Sequence, residues 1–361
     1  MNRDSATLAN WRTAPHNRWA FHHVRELIPS AEIAHDPRRV RELPAAPRDL
    51  GLEEFFRQTD GDGMIVLHRG RVLFERYGNG MPAHAQHILM SVSKSMLGLL
   101  FGQLGLDPER PVVDVLPELA GTAYRGATLR NLLDMRTGVA FDEDYLATSG
   151  PIVEYRKATG WNALGPGDPP SDLHSFYPTL TGSDGGHGGR FHYVSPNTDL
   201  LGWVIERATG SPYAELMSER LWKPVGAEHS AYITVDRLGA PRTAGGMCVT
   251  LRDLARVGQW MIENPTPWLD DIERNGERAA WDAGSFVAYF PGLPMRYRSQ
   301  WYVLDGAHPL LFGWGIHGQN LFVDRRNGLV VAKLSSQAMP VDVARMALTM
   351  RTVEQLRTRL A

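Results

Sequence analysis

Cysteine is almost absent: Cys248 stands alone among 361 residues. No disulfide can therefore form within the chain, and such sparse cysteine fits a reducing compartment. Charge of one sign is also missing. The formal net charge is -2, with acidic and basic residues mixed along the whole length, which excludes the electrostatic footprint of a nucleic-acid or anionic-membrane binder. No stretch approaches the ~20 consecutive apolar residues that a membrane helix requires. The 13 histidines show no ligand spacing such as H-E-x-x-H, and His84-x-x-His87 is too bare to count, so no metal and no organic cofactor are expected. The Gly-x-Ser-x-Gly elbow of one large serine hydrolase class is absent. The glycine cluster at 182–189 lacks the Gly-Lys-Ser/Thr ending of a phosphate loop. The first thirteen residues are polar and mixed, without the apolar centre of a secretory signal. The expectation is a cytoplasmic protein acting on a small molecule, with a homodimer as the candidate assembly.

What the chain does have is 43% hydrophobic residues, enough for one large core or two smaller ones. The first fifty residues, rich in Pro, Arg and His, read as an irregular segment, with the aromatic stretch HNRWAFHHV packed onto the body. MIVLH, a turn at Arg69-Gly70, and RVLFERY predict two antiparallel strands. Apolar spacing predicts helices from about Val92 to Leu104, over Thr128–Met135, from Thr198 to Arg207, from Leu251 to Ile262 with Thr250 as N-cap, and from Val341 to Leu360. Residues 160–190, heavy in Gly, Pro, Ser and Asp, read as long loops, which in a compact domain are usually functional. Asn320–Asp324, the turn Asn327-Gly328 and Leu329–Leu334 form a hairpin. Strands at both ends with helices between them imply an α/β sandwich, an antiparallel sheet with flanking helices, interrupted by a mostly helical region. The expected division is an α/β domain of 51–90 and 240–361, and a helical domain of 91–239.

The segment ILMSVSKSMLGLL carries Ser-x-x-Lys at Ser91 and Lys94, opening an apolar helix. Residues three apart share a helix face, so Lys94 reaches the Ser91 hydroxyl, which is a poor nucleophile until a base takes its proton. A lysine acts as that base only when neutral, and burial plus the positive helix N-terminus both lower its pKa. The same helix start offers the Ser91 N–H as an oxyanion donor. Ser-x-x-Lys alone is a weak pattern. It gains weight from Tyr193-Val194-Ser195, where a tyrosine ahead of an apolar helix can relay a proton. It gains more from Gly315-Ile316-His317-Gly318-Gln319 at the entry to the terminal hairpin, where the Gln319 N–H is a second oxyanion candidate.

This order of motifs is that of serine β-lactamases and penicillin-binding proteins. The chain resembles the β-lactamase-like serine hydrolases and, among them, the 6-aminohexanoate-dimer (nylon-oligomer) hydrolases. The matching segments run from PHNRWAFHHV through LMSVSKS, FDEDY, YVSPNTDLLGW, GGMCVTLRDLARVGQ and GIHGQNL to VAKLSS. The resemblance implies a β-lactamase/transpeptidase-like fold and an acyl-enzyme on Ser91. Lys94 and Tyr193 move protons, the amides of Ser91 and Gln319 hold the oxyanion, and Ser195, Ile316, His317 and Gly318 line the substrate. Tyr145 in FDEDY matches a tyrosine that closes over substrate, and Trp161 a tryptophan on the same loop. Whether Lys94 or a tyrosinate is the principal base stays open at this level.

The third motif lacks the Lys-Thr-Gly cation that helps bind the carboxylate of penicillins, which points away from β-lactams and towards linear amides or carboxylic esters. On the loop where a dimer hydrolase is expected to place a carboxylate for the substrate ammonium, this chain reads Glu154-Tyr155-Arg156-Lys157. Weak activity on the dimer and turnover of uncharged esters are therefore expected. A D-amino-acid peptidase, a β-lactamase and a non-catalytic protein that kept the fold remain alternatives.

Overall fold

The computed structural model describes residues 3–361. Among the described residues eleven strands form two sheets. They are β1 (Ser30–Ile33), β2 (Gly61–His68), β3 (Arg71–Tyr77), β4 (His87–Ile88), β5 (Ala231–Thr234), β6 (Met247–Val249), β7 (Met295–Arg298), β8 (Trp301–Leu304), β9 (Leu310–Gly315), β10 (Gln319–Asp324) and β11 (Leu329–Ser335). The main sheet is antiparallel throughout, in the order β3-β2-β11-β10-β9-β8-β7. The first and last hairpins of the chain thus pair side by side, with Leu329 opposite His68 and Lys333 opposite Met64.

Both faces of this sheet are covered, and successive side chains choose opposite sides as strand geometry requires. Ile65, Leu67, Leu321, Val323, Val330 and Ala332 join the core under helix Leu251–Glu263. Met64, Val66, Phe322, Leu329 and Val331 pack instead with Met346, Met350 and Val353 of helix Val343–Leu360. This double burial explains why the strands read as nearly unbroken apolar runs. Thr250 caps its helix through the N–H of Asp253, as its position foretold. This is the antiparallel α/β sandwich with flanking helices that the pattern implied.

The N-terminal fifty residues, expected to be irregular, contribute β1, an edge of the smaller sheet β1-β5-β6-β4. Its four residues alternate too weakly to signal a strand, and pairing with β5 supplies the order. Trp11 of the same segment is fully buried and donates its indole N–H to the Trp161 carbonyl at 3.2 Å. Residues 160–190, read as loops, include short turns of helix at Leu173–Phe176 and Tyr177–Thr179. Asp172 caps the first of these by accepting the Ser175 N–H.

Helix Val92–Gln103 is the central element, with every residue from Val92 to Phe101 buried. It lies against β9, where Gly313 and Gly315 leave room. A Cβ on Gly313 would come within 2.9 Å of Ser95 Oγ, and one on Gly315 within 2.7 Å of the Leu89 carbonyl. Among the described residues no helix is long and apolar enough to cross a membrane.

Candidate active site

The small sheet delivers the chain to the start of this helix. Leu89 donates its N–H to the Met247 carbonyl, and Met90 follows with φ 46°, in the left-handed region that non-glycine residues avoid. The turn it makes leaves Ser91 as N-cap, half-buried, at the wall of a cleft. Lys94, one turn on, is 1% exposed. Its Nζ lies 3.0 Å from Ser91 Oγ, 3.0 Å from Ser195 Oγ and 2.8 Å from the Ala244 carbonyl.

That set of partners suits a neutral amine as well as an ammonium. An amine donates to Ala244 and Ser195 and keeps its lone pair for the Ser91 O–H. Burial pushes Lys94 down to about 7, with Arg242 helping and the charges of Glu143 and Asp199 opposing.

Ser195 is braced in turn. Its N–H donates to Glu143 Oε2 at 2.8 Å and its hydroxyl donates to Glu143 Oε1. On the other side of the lysine, Asp199 accepts the Ala244 N–H at 2.7 Å and so aims the carbonyl that holds Lys94. Asp199 is itself fixed by Arg242 and by the Tyr155 phenol, all three buried.

Tyr193, two residues ahead of helix Ser195–Thr209, is 4% exposed. Its ring lies 4.9 Å from Lys94 Nζ and stacks on Phe286 at 4.6 Å. The phenol bonds Ser91 and Tyr302, and burial, followed by the Glu143 charge, pushes its pKa further above the ordinary range. Both effects favour the neutral phenol over a tyrosinate.

The cleft has two lobes that meet at Ser91, Tyr145 and Ile316. One is lined by Arg12, Glu143, Arg156, Trp161, Ser195 and Arg242, with Ala244 behind them. The other is lined by Tyr193, Phe286, Tyr289, Phe290, Tyr302 and Trp314. Tyr145 is half-buried, with its phenol pushed up by burial and by the Glu143 carboxylate it bonds. Trp161 is a wall as well as an anchor, since its N–H donates to Thr234 Oγ1 at 3.1 Å while its ring faces the charged lobe.

The third motif is placed differently from the sequence expectation. Gln319 is fully buried and lines neither lobe; its side-chain N–H donates to the Ile316 and Ser335 carbonyls. His317, with φ 61°, donates Nδ1–H to the Gln337 carbonyl at 2.7 Å, and burial lowers it to about 4. It is a neutral imidazole locking the turn, and its edge reaches only the outer mouth. Gly318, φ 91°, also sits away from Ser91, with Lys333 Nζ donating to its carbonyl at 3.2 Å. Ile316 is the residue of this motif that borders both lobes. The reason is the left-handed turn at His317 and Gly318, which carries the chain out of the cleft before β10 begins.

Sequence reasoning did not single out Glu143, although it lies in the FDEDY segment two residues before Tyr145. A lone carboxylate in a loop gives no signal until Ser195, 52 positions away, meets it. Of the two cations beside Tyr155, Arg156 lines the charged lobe, whereas Lys157 pairs with Glu154 and Asp168 at the surface.

A family model described as beta-lactamase matches residues 51–354. The chain is 38% identical to the 6-aminohexanoate-dimer hydrolase of Paenarthrobacter ureafaciens, across 92% of this chain and 89% of that one. A solved Bacillus anthracis protein, provisionally assigned as a 6-aminohexanoate-dimer hydrolase, superposes with TM-score 0.89 at 24% identity, covering 99% and 98% of the two chains. A family VIII carboxylesterase superposes with TM-score 0.62 at 14% identity, over 87% of this chain and 99% of that one. The last two likenesses speak to the fold alone.

Proposed function

The chain belongs to the beta-lactamase family, and on that premise we propose that it hydrolyses linear amides or carboxylic esters through an acyl-enzyme on Ser91. The observation that carries this reading is a buried Lys94 whose Nζ stands 3.0 Å from Ser91 Oγ. Neutral Lys94 accepts the Ser91 proton as Oγ attacks the carbonyl carbon, and the C=O electron pair moves onto oxygen. The Ser91 amide and the Ile316 amide, in place of Gln319, receive that oxyanion. As the C–N or C–O bond breaks, the Tyr193 phenol protonates the leaving atom and is reprotonated from Lys94. Water then attacks the acyl ester, loses its proton to the same groups, and releases the carboxylic acid. Ser195 and Glu143 hold the lysine between these steps.

Esters are the expected best substrates and β-lactams poor ones, because no cation stands at Ile316-His317-Gly318. The name of the Paenarthrobacter relative extends to this chain as a class of reaction, while Arg156 in the cleft disfavours the dimer's terminal ammonium.

The test is hydrolysis of 4-nitrophenyl butyrate, 6-aminohexanoate dimer and nitrocefin by the wild type and by Ser91→Ala. Ester turnover that vanishes in Ser91→Ala, with fluorophosphonate labelling of Ser91, is expected. Turnover that survives in Ser91→Ala would sink the mechanism, and absence of both turnover and labelling would favour the non-catalytic alternative.

A further inference from the structure

Arg12 and Arg156 line the charged lobe and also the wider outer groove, so they stand at the throat between solvent and Ser91. Arg156 is 8% exposed. Its guanidinium donates to the backbone carbonyls of Ala147, Asp144 and Tyr145, none of which carries a countercharge. Arg12 comes from the N-terminal segment, lies over the Trp11 and Trp161 rings at 5.5 and 5.7 Å, and donates to Asn162 Oδ1 at 2.6 Å. Among the described residues neither guanidinium forms an ion pair with a carboxylate. Arg242, the third cation here, is matched by Asp199. Glu143 is occupied by Ser195 and Tyr145 and lies beside Lys94. The Asp144 carboxylate is outside the lobe, accepting the Leu146 N–H at 2.8 Å. Burial, and then the repulsion of Arg12 by Arg156 and by Arg242, lower the Arg12 pKa. Glu143 and Asp144 attract Arg156 through space without closing an ion pair with it, and two nearby guanidiniums with no directly bonded acid on a hydrolytic cleft are an arrangement that suits an anion.

We propose that the throat formed by Arg12 and Arg156 recognises a carboxylate carried on one arm of the substrate, so that the preferred substrates are carboxylate-bearing linear esters or amides. The inference rests on the acyl-enzyme reading above and specifies its substrate class. The carboxylate sits on a flexible arm that spans from the scissile bond to the throat. The ring carboxylate of a β-lactam is instead held close to the scissile bond, where the wall is Ile316. The aromatic lobe takes the uncharged arm.

Two matched pairs test this with the intact protein. Mono-4-nitrophenyl glutarate against 4-nitrophenyl pentanoate places the charge on the acyl arm, and 3-(butyryloxy)benzoate against 3-(butyryloxy)benzamide places it on the leaving arm. In one pair the carboxylate member is expected to lead in kcat/KM by about tenfold, the scale of one charge-assisted hydrogen bond. 4-Nitrophenyl 5-aminopentanoate should trail the pentanoate. Arg156→Gln should bring the anion-to-neutral ratio close to one through KM, and Arg12→Gln should lower it in the same direction. A ratio unchanged while both rates fall marks Arg156 as a loop brace and overturns the proposal. Should Arg156→Gln not fold, the Arg12→Gln ratio and the wild-type ratios decide. Ester turnover with no charge preference in either pair overturns this proposal alone. Absence of any turnover and of fluorophosphonate labelling overturns the catalytic reading and this proposal with it.

Discussion

The two lobes that meet at Ser91 are built on opposite principles. The charged lobe holds three guanidiniums and Glu143 on the N-terminal segment, on the loop at 143, on the short helix Pro151–Ala158 that carries Arg156, and on the segment at 242. Each group is fixed by hydrogen bonds to carbonyls, hydroxyls or acids. The aromatic lobe holds stacked rings on the sheet and on the segment at 285–290, with Tyr302 lying on Phe312 at 5.3 Å and Phe286 on Tyr193 at 4.6 Å. Charge selects by sign and is sensitive to each missing partner, because a buried ion without its mate is costly. Ring surface selects by area and tolerates trimming, because the stabilisation scales with the apolar surface removed from water. The candidate nucleophile Ser91 sits where the two regimes touch, and burial, more than any charge beside it, lowers the pKa of its lysine.

Lys94→Met should have the largest effect on turnover, a loss of about 10³-fold or more in kcat for ester hydrolysis, with the fold retained by circular dichroism. In the wild type, kcat/KM should fall as pH drops through about 7, since the lysine must be neutral to accept the proton.

Asp199→Asn should test whether the charged side also carries stability. It leaves Arg242 buried and unpaired, so urea unfolding should show a loss of about 3–5 kcal/mol, and the Lys94 support at Ala244 should loosen with it. A change under 1 kcal/mol, on the scale of an exposed pair, would place that network among the dispensable ones.

Glu143→Gln should cost about 10²-fold in kcat and move the acidic limb of the pH profile to lower pH. The sign follows from the carboxylate, whose charge opposes the burial-driven fall of the Lys94 pKa, so removing it lets that pKa fall further. An acidic limb that stays in place would dissociate Glu143 from the lysine.

The smallest effect is expected in the aromatic lobe. Phe286→Ala should raise KM for 4-nitrophenyl butyrate about fivefold, by the area of one exposed ring face, and leave the acetate ester nearly unaffected. Equal losses on both esters would mean that the ring acts through the Tyr193 phenol instead.

How much of this was legible in advance differs between the lobes for the same physical reason. Ser91 and Lys94 are three apart on one helix, and Tyr193 precedes another, so local spacing carried them. The hairpins β2-β3 and β10-β11 were readable because each is local and shows as apolar runs joined by a turn signal, whereas strands β7 to β9 of the same sheet gave no such signal. Glu143, Arg12 and the turn that withdraws Gln319 in favour of Ile316 were not readable. Each depends on a partner 52 or more positions away, or on a left-handed backbone at His317 that no pattern announces. Arg156 and Lys157 look equivalent in the chain, yet one faces the cleft and the other a surface acid.

By itself, then, the sequence determined the sandwich and marked Ser91 and Lys94 as candidate nucleophile and base, because spacing along a helix and apolar runs in a strand act over a few residues. Only the tertiary structure decided which charges enter the cleft and which residue of the third motif borders both lobes. Those outcomes depend on how loops from distant parts of the chain close around Ser91, and loop closure is set by packing and charge pairing across the fold rather than by neighbours in the chain.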